Sequence, residues 1–319
     1  MKELRRTMAQ QGPGRHHREG LSLVQITRMF PDDATAEAWF AQTRWPNGPV
    51  CPHCGSIRVQ SGAAHRTMPY RCRDCRRRFS VKTDTVMANS KLGCQTWAIA
   101  IYLLTTGIKG VSSMKLHRDL GITQRSAWHL AHRIRETWGR SLSAFEGPVE
   151  ADETYIGGLR RNMHRRQREA LTGRGAVGKA AVAGVRDRAS GRVSAAVVAA
   201  TDGATLHPFV ASRTEPSAQV YTDDHRGYRN LPRRHRTVRH SVGEYVDGMA
   251  HTNGLESFWS LLKRGYHGTY HRMSQKHLDR YVNEFSGRFN DRDNDTLPQM
   301  AAMARGLQGK RLPYRDLVR

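Results

Sequence analysis

The chain has 319 residues, enough for two or three compact units that each bury a core. Lysine and arginine outnumber the acids 52 to 28, giving a formal charge of +24 and a pI near 10.7. So lopsided a charge argues against a polycationic partner and for a polyanion, most simply nucleic acid, although a ribosomal or membrane-surface protein could share it.

No apolar run approaches the roughly 18 residues that a bilayer span requires, so no membrane partner is expected. Residues 1–20, MKELRRTMAQQGPGRHHREG, are basic with no apolar stretch behind them. They read as a disordered basic tail and not as a secretory signal. Residues 21–50 carry a short helical pattern with Ala36, Trp39 and Phe40 near its end, and Pro31-Asp32-Asp33 supplies a helix start. Arg44-Trp45-Pro46-Asn47-Gly48 then breaks it with turn chemistry.

Residues 51–80 hold Cys51-Pro-His-Cys54 and, after 17 intervening residues, Cys72-Arg-Asp-Cys75. Two-residue gaps let both thiolates of a knuckle reach one ion, and a hairpin can bring the second knuckle opposite the first. The spacing therefore predicts a closed four-sulfur structural Zn²⁺ site, a zinc ribbon. His53 and His65 are available but not needed, and Cys94 falls outside the pattern as a buried helix residue. Four of the five cysteines in such pairs suit a reducing compartment better than a disulfide framework. Arg71, Arg73, Arg76, Arg77 and Arg78, interleaved with Tyr70 and Phe79, make a ribbon face suited to DNA phosphates.

Residues 81–145 are helical in pattern. Trp97, Ile101 and Leu104 form one apolar stripe ending at Gly107. Ser112 or Ser113 can cap a helix that reaches Leu120, Gly121 turns the chain, and Thr123 caps the next helix. This is the layout of a helix-turn-helix, whose second helix would present Gln124, Arg125, His129 and Arg133 to a groove; an ordinary helical hairpin would share it.

From 146 to 300 the texture changes. Strands are expected over Val149 to Ile156, Ala180 to Arg186, Val193 to Ala200, Gln219 to Thr222 and a short stretch near Thr237 to His240. Helices follow at Thr205 to Ser212, around Ala250 to Ser274 and from Gln275 to Asn290. The order is an α/β arrangement, a meander followed by crossovers, with a mixed sheet of five strands. Between Gly158 and Lys179 runs a basic, glycine-flanked loop, able to order on phosphates or to remain a plain charge run. Residues 301–319 read as a C-terminal tail.

Asp152 falls near the end of the first strand, Asp223 just after the fourth, and Glu256 on the helix after the fifth. Adjacent strand ends can set two carboxylates a few ångströms apart under a third from a covering helix. Such acids repel one another, and Mg²⁺ or Mn²⁺ relieves them with hard-oxygen coordination. Two ions roughly 3.5–4 Å apart would support an in-line displacement at phosphorus. Locally, Asn253-Gly-Leu-Glu256 also resembles a capping box in which Glu256 only satisfies backbone N–H groups. Strand alternation allows only one residue each of Asp152/Glu153 and Asp223/Asp224 to point inward, without saying which. His225, His240 and His251 lie close to the acids in sequence and are expected to contact DNA or the backbone.

The segments VEADETYIGG, VYTDDHRGY, VRHSVGEYVDGMAHTNGLESFWSLLKRGYHGTYHRMS and YVNEFSGRFNDR resemble the DDE transposases of bacterial insertion sequences. With the zinc-ribbon front end, the chain is similar to the insertion sequence 1595 family from about Leu21 to Leu317. The resemblance implies a ribonuclease H-like catalytic fold and Mg²⁺-dependent cutting and joining of transposon ends in the bacterial cytoplasm, at the nucleoid when bound. It assigns Asp152, Asp223 and Glu256 as metal-binding acids and Lys263 as a phosphate contact, with Arg264 beside it. The family varies at its third position, so Asn253 is the rival of Glu256. Its partners would be the terminal inverted repeats and target DNA, held by a homo-oligomer. A zinc-ribbon and helix-turn-helix regulator without catalysis, or a ribonuclease H-like nuclease without strand transfer, would share part of this pattern.

Overall fold

The computed structural model describes residues 19–65, 67–139, 143–158, 160–172, 175–238 and 253–319. Most of the expected basic tail, together with His240 and His251, lies outside the described residues. The chain forms two compact units, one of residues 1–138 with 291–319 and one of residues 139–290.

In the first unit, α1 (Leu23–Met29) and α2 (Asp33–Arg44) are each started by a side-chain cap, Ser22 and Asp32. The ribbon follows as three antiparallel strands, β1 (Val59–Gln60), β2 (Tyr70–Cys72) and β3 (Arg78–Phe79). Its small core is Cys51, Cys72 and Phe79, with Tyr70 stacked on Phe79 at 5.4 Å and Trp45 edge-on to both. Helix α3 (Cys94–Thr106) buries the expected stripe of Trp97, Ile101 and Leu104, and Cys94 is buried as its first residue. Ser112 and Thr123 cap α4 (Ser113–Leu120) and α5 (Gln124–Arg135), and Gly121 makes the turn between them in the left-handed region, φ 62°.

Residues 291–319 do not form a domain end and a tail. They fold as α10 (Thr296–Arg305) and α11 (Tyr314–Val318) after α9 of the second unit, and place Met300, Met303, Leu307, Leu312 and Leu317 in the core of the first unit. These apolar residues are too thinly spread along the segment to betray a core by periodicity alone.

The second unit is a five-stranded mixed sheet in the order β6-β5-β4-β7-β8. Its strands are β4 (Val149–Ile156), β5 (Ala180–Asp187), β6 (Val193–Val198), β7 (Gln219–Asp223) and β8 (Arg234–Val238). β4, β5 and β6 form the antiparallel meander, and β7 and β8 then run parallel to β4. A short helix, α6 (Arg165–Ala170), interrupts the basic loop after β4.

Helices cover both faces of the sheet. On one, α8 (Asn253–Gly265) and α9 (Gln275–Asn290) bury Leu255, Phe258, Trp259, Leu262, Leu278, Val282 and Phe285 against Val182, Val193 and Ala195. On the other, α7 (Gly203–Ala211) buries Leu206, Phe209 and Val210 against Val149, Ala151, Ala183, Val185 and Val220. Period-two alternation along β4 and β5 assigns neighbouring residues to opposite interiors, so β5 (AAVAGVRD) reads as a nearly continuous apolar run, whereas β4 carries three acids.

The fully buried Met300 sets the prediction for the first unit: Met300→Ala should cost about 2–5 kcal/mol. Urea denaturation checks it, since a residue of a true tail would leave the midpoint unmoved.

Candidate functional site

β4 pairs with β7 in parallel at Val149↔Val220 and Glu150↔Tyr221. Two residues further on, the same register sets Asp152 beside Asp223 at the end of β7. One carboxylate oxygen from each of Asp152, Glu153 and Asp223 lies within 4.8 Å of the others. The expected pairing of Asp152 with Asp223 is therefore what the backbone delivers, with Glu153 added.

The expectation that only one residue of each pair points inward holds at Asp224, which is exposed, but not at Glu153. Because helices cover both sheet faces, both faces are interior. Asp152 lies on the α8 side and Glu153 on the opposite side with buried Tyr228. Asp223, at the strand end, meets both. A sequence reading that assumed one wet face had no means of finding this.

Helix α8 is tied to β4 by two hydrogen bonds. Leu255 N–H donates to Glu150 Oε2 at 3.0 Å, and Trp259 Nε1 donates to Asp152 Oδ2 at 2.8 Å. The Trp259 ring lies over Gly184, the β5 residue paired with Asp152; a Cβ there would come within 2.8 Å of the ring. Glu150 is fully buried and also accepts from Arg186 Nη1 at 3.3 Å and Arg188 Nε at 3.1 Å. Gly254 admits this arrangement, since a Cβ at that position would lie 2.2 Å from Arg186 Nη1. The acceptor for the first turn of α8 thus comes from β4, a partner no local capping pattern could reveal.

Glu256 is exposed on that turn and stands outside the close carboxylate group. Asn253 is the first residue of the helix and is also exposed, as are Lys263 and Arg264 in its last turn. Asp223 Oδ1 accepts from the backbone N–H of His225 at 3.0 Å, so this histidine fixes the turn after β7.

Burial raises the Asp152 carboxyl to about 7, and neighbouring Glu153 and Asp223 push in the same direction. Glu153 is likewise raised to about 7, first by burial and then by Asp223, with the Tyr228 hydroxyl working against the rise. Three hard carboxylates whose charges are this costly fit a divalent cation such as Mg²⁺.

In the ribbon, Cys51 Sγ and Cys75 Sγ are 3.6 Å apart, Cys54 Sγ and Cys72 Sγ 3.7 Å, and all four lie within 4.8 Å. A tetrahedron with Zn–S bonds of about 2.3 Å has sulfurs roughly 3.8 Å apart, so the four thiols fit zinc. The Cys72 thiol is lowered to about 6, chiefly by the backbone N–H of Cys75, which favours the thiolate that zinc requires. Buried Cys94, by contrast, is pushed up to about 12 and is inert.

Residues 144–290 match the ISXO2-like transposase domain, and residues 31–78 match the transposase zinc-ribbon domain. A relative described as an uncharacterized protein in transposable element ISH50 of Halobacterium salinarum is 30% identical over 273 residues, covering 81% of this chain and 91% of the relative. The chain belongs to the insertion sequence 1595 family of transposases.

The transposase holds its expected DNA-facing residues unevenly. Arg71, Arg73, Arg76 and Arg77 are exposed around the second zinc knuckle, while Arg78 is half-buried and donates to the Ala64 carbonyl. On α5, Gln124 is exposed and donates to Ser113 Oγ, and exposed Arg125 lies 4.2 Å above the Tyr314 ring. His129 is half-buried with Nε2 2.9 Å from the Leu312 carbonyl oxygen. Arg133 does not face outward. Its side chain is buried over Trp97 and donates to the Ala88 carbonyl, because the C-terminal half of α5 turns into the core. No helix among the described residues is long and apolar enough to cross a membrane.

The raised carboxyls of the transposase fix a sign. Folded Asp152 and Glu153 keep their protons to about 7, whereas at ordinary values of 3.8 and 4.5 the unfolded chain releases them earlier. Between those limits the folded state binds more protons, so stability falls as pH rises. In magnesium-free buffer the Tm should drop between pH 5 and pH 8, and Asp152→Asn should flatten that drop. Thermal scans across the range would refute the assignment if the variant kept the full wild-type slope.

Proposed function

We propose that the protein is a DDE-type transposase that binds the ends of its element, cleaves them in a Mg²⁺-dependent step and transfers the freed strands to target DNA. The observation that carries this reading is the register-matched meeting of Asp152 and Asp223 on adjacent parallel strands, beneath a helix tethered to the same strand. The sandwich of a mixed sheet between two helical layers supports a ribonuclease H-like catalytic unit. Asp152 and Asp223 would hold the cations, with Mg²⁺ the natural ion and Mn²⁺ a substitute. Glu256 would complete the triad from the first turn of α8, with Asn253 as the alternative. Bound divalent cations would lower the pKa of the attacking water and offset charge on the transferring phosphoryl group.

The chain's own residues then divide the work. Trp259 and His225 hold one oxygen each of Asp152 and Asp223, fixing the carboxylates without side-chain freedom. Lys263 and Arg264, exposed two turns along α8, would hold phosphates of the cut strand. The exposed ribbon arginines and the start of α5, read as a helix-turn-helix with Gln124 and Arg125 outward, would supply end recognition. Two ends must be joined in one event, so the active form would be a homo-oligomer on DNA.

With a fragment carrying the element's end, Asp152→Asn should bind as wild type does yet lose nicking and strand transfer by several orders of magnitude. Gel-based cleavage and shift assays read both; cleavage at the wild-type rate would end the proposal, and cleavage without joined product would leave a nuclease. Glu256→Gln and Asn253→Ala, assayed the same way, divide the third role, which belongs to whichever substitution abolishes nicking. Removal of zinc should weaken end binding at least about tenfold, because the exposed arginines depend on the knuckle for their arrangement. Unchanged affinity of the stripped protein, by the same shift assay, would remove the ribbon from DNA recognition.

A further inference from the structure

Glu153 is the member of the carboxylate group that the family motif leaves without a task. Its side chain is only 7% exposed, yet its Oε2 has no hydrogen-bond partner among the described residues. On the other oxygen, the nearest ionisable nitrogen is His225 Nδ1 at 3.6 Å from Oε1. That nitrogen accepts from the Gly227 backbone N–H at 3.3 Å, so in this tautomer it carries no proton to donate to the carboxylate. The Tyr228 hydroxyl hydrogen-bonds to this carboxylate, but a buried carboxylate oxygen left without a donor is still costly for a fold to keep.

The contrast with the other two acids narrows its role. Asp152 is held by Trp259, and Asp223 by the backbone of His225. Glu150, on the same strand, has two arginines and a helix N–H. Among these four acids, only Glu153 combines near-complete burial with an oxygen that no described residue satisfies, and it lies in the group whose oxygens fall within 4.8 Å of one another.

We infer that Glu153 is an additional direct ligand of the divalent cation held by Asp152 and Asp223, approaching it from the sheet face opposite α8. The inference rests on the cation site proposed above, and it makes that site a clamp closed from both faces of β4. Tyr228, buried beside Glu153, acts as a positioning residue that keeps the carboxylate turned to the strand end.

The test is Mn²⁺ binding to the full-length, zinc-loaded protein, read without DNA from the electron paramagnetic resonance signal of free Mn²⁺. Wild type, Glu153→Gln, Glu153→Asp and Asp223→Asn are compared. Loss of a direct ligand should cost at least the roughly 10–100-fold that loss of an outer-shell partner costs, so Glu153→Gln should bind Mn²⁺ ten times more weakly or worse. Glu153→Asp, which keeps the charge one methylene shorter, should recover part of the loss. The Tm of Glu153→Gln in metal-free buffer should equal or exceed that of wild type, because a buried charge has been removed; this separates lost affinity from lost fold. If Glu153→Gln binds as wild type while Asp223→Asn does not, Glu153 is no ligand and the proposed cation site stands. If neither substitution weakens binding, the cation site itself is wrong and this inference falls with it.

Discussion

Two carboxylates on one face of β4 hold the second unit in register. Glu150 accepts the Leu255 N–H and Asp152 accepts the Trp259 indole N–H, so α8 is pinned to the strand at two points one helical turn apart. A helix laid on a sheet by apolar contacts alone can slide or rotate, because dispersion and burial are not directional. Two directed bonds to charged acceptors remove that freedom and are stronger than neutral ones. Glu256 lies between the two tethers in sequence, and Lys263 follows about two turns beyond Glu256 on the same helix.

The small residues opposite the pins belong to the same constraint. Gly184 lets the Trp259 ring descend onto β5 beside Asp152, and Gly254 lets the Arg186 guanidinium reach Glu150 beneath the helix start. Removing Glu150 would strand Arg186 and Arg188 as partly buried charges, at a cost of about 3–5 kcal/mol for a broken buried pair. The acid of the close carboxylate group, Asp152, and the acid that holds the helix, Glu150, are therefore two residues apart on one strand, distinguished by what surrounds them.

Much of this was legible in the residues. The cysteine spacing implied the ribbon because thiolate geometry around one ion is local, and the helix caps at Asp32, Ser112 and Thr123 follow from side chains adjacent to the N–H groups they satisfy. The order of strands along the chain was readable because turn residues and apolar runs bound them, and the choice of Asp152 and Asp223 leaned in part on the family motif. What escaped was long-range. The bond from Glu150 spans 105 residues, the C-terminal helices return to a core laid down by α3, and the inward turn of Arg133 is set by Trp97 and Ala88. Glu153 escaped for another reason: alternation says which face a side chain takes, but not whether that face is wet.

The net charge of +24 does not by itself relieve the acidic group. Exposed arginines act through water and salt, which screen them beyond roughly 8–10 Å. Asp152 and Glu153 are raised first by burial and only then by neighbouring carboxylates, so what they lack is a charge inside the site, at contact distance. Glu150 makes the comparison within one strand: it is more deeply buried than either, yet the protein itself supplies Arg186 and Arg188 against it. Two residues later, at Asp152 and Glu153, the described residues supply an indole, a phenol and an imidazole, none of which carries a fixed positive charge. A fold able to place two guanidinium groups on Glu150 could have placed one here. Positive charge is thus supplied against one acid of β4 and, among the described residues, not against its two neighbours, the pattern that the proposed cation would complete.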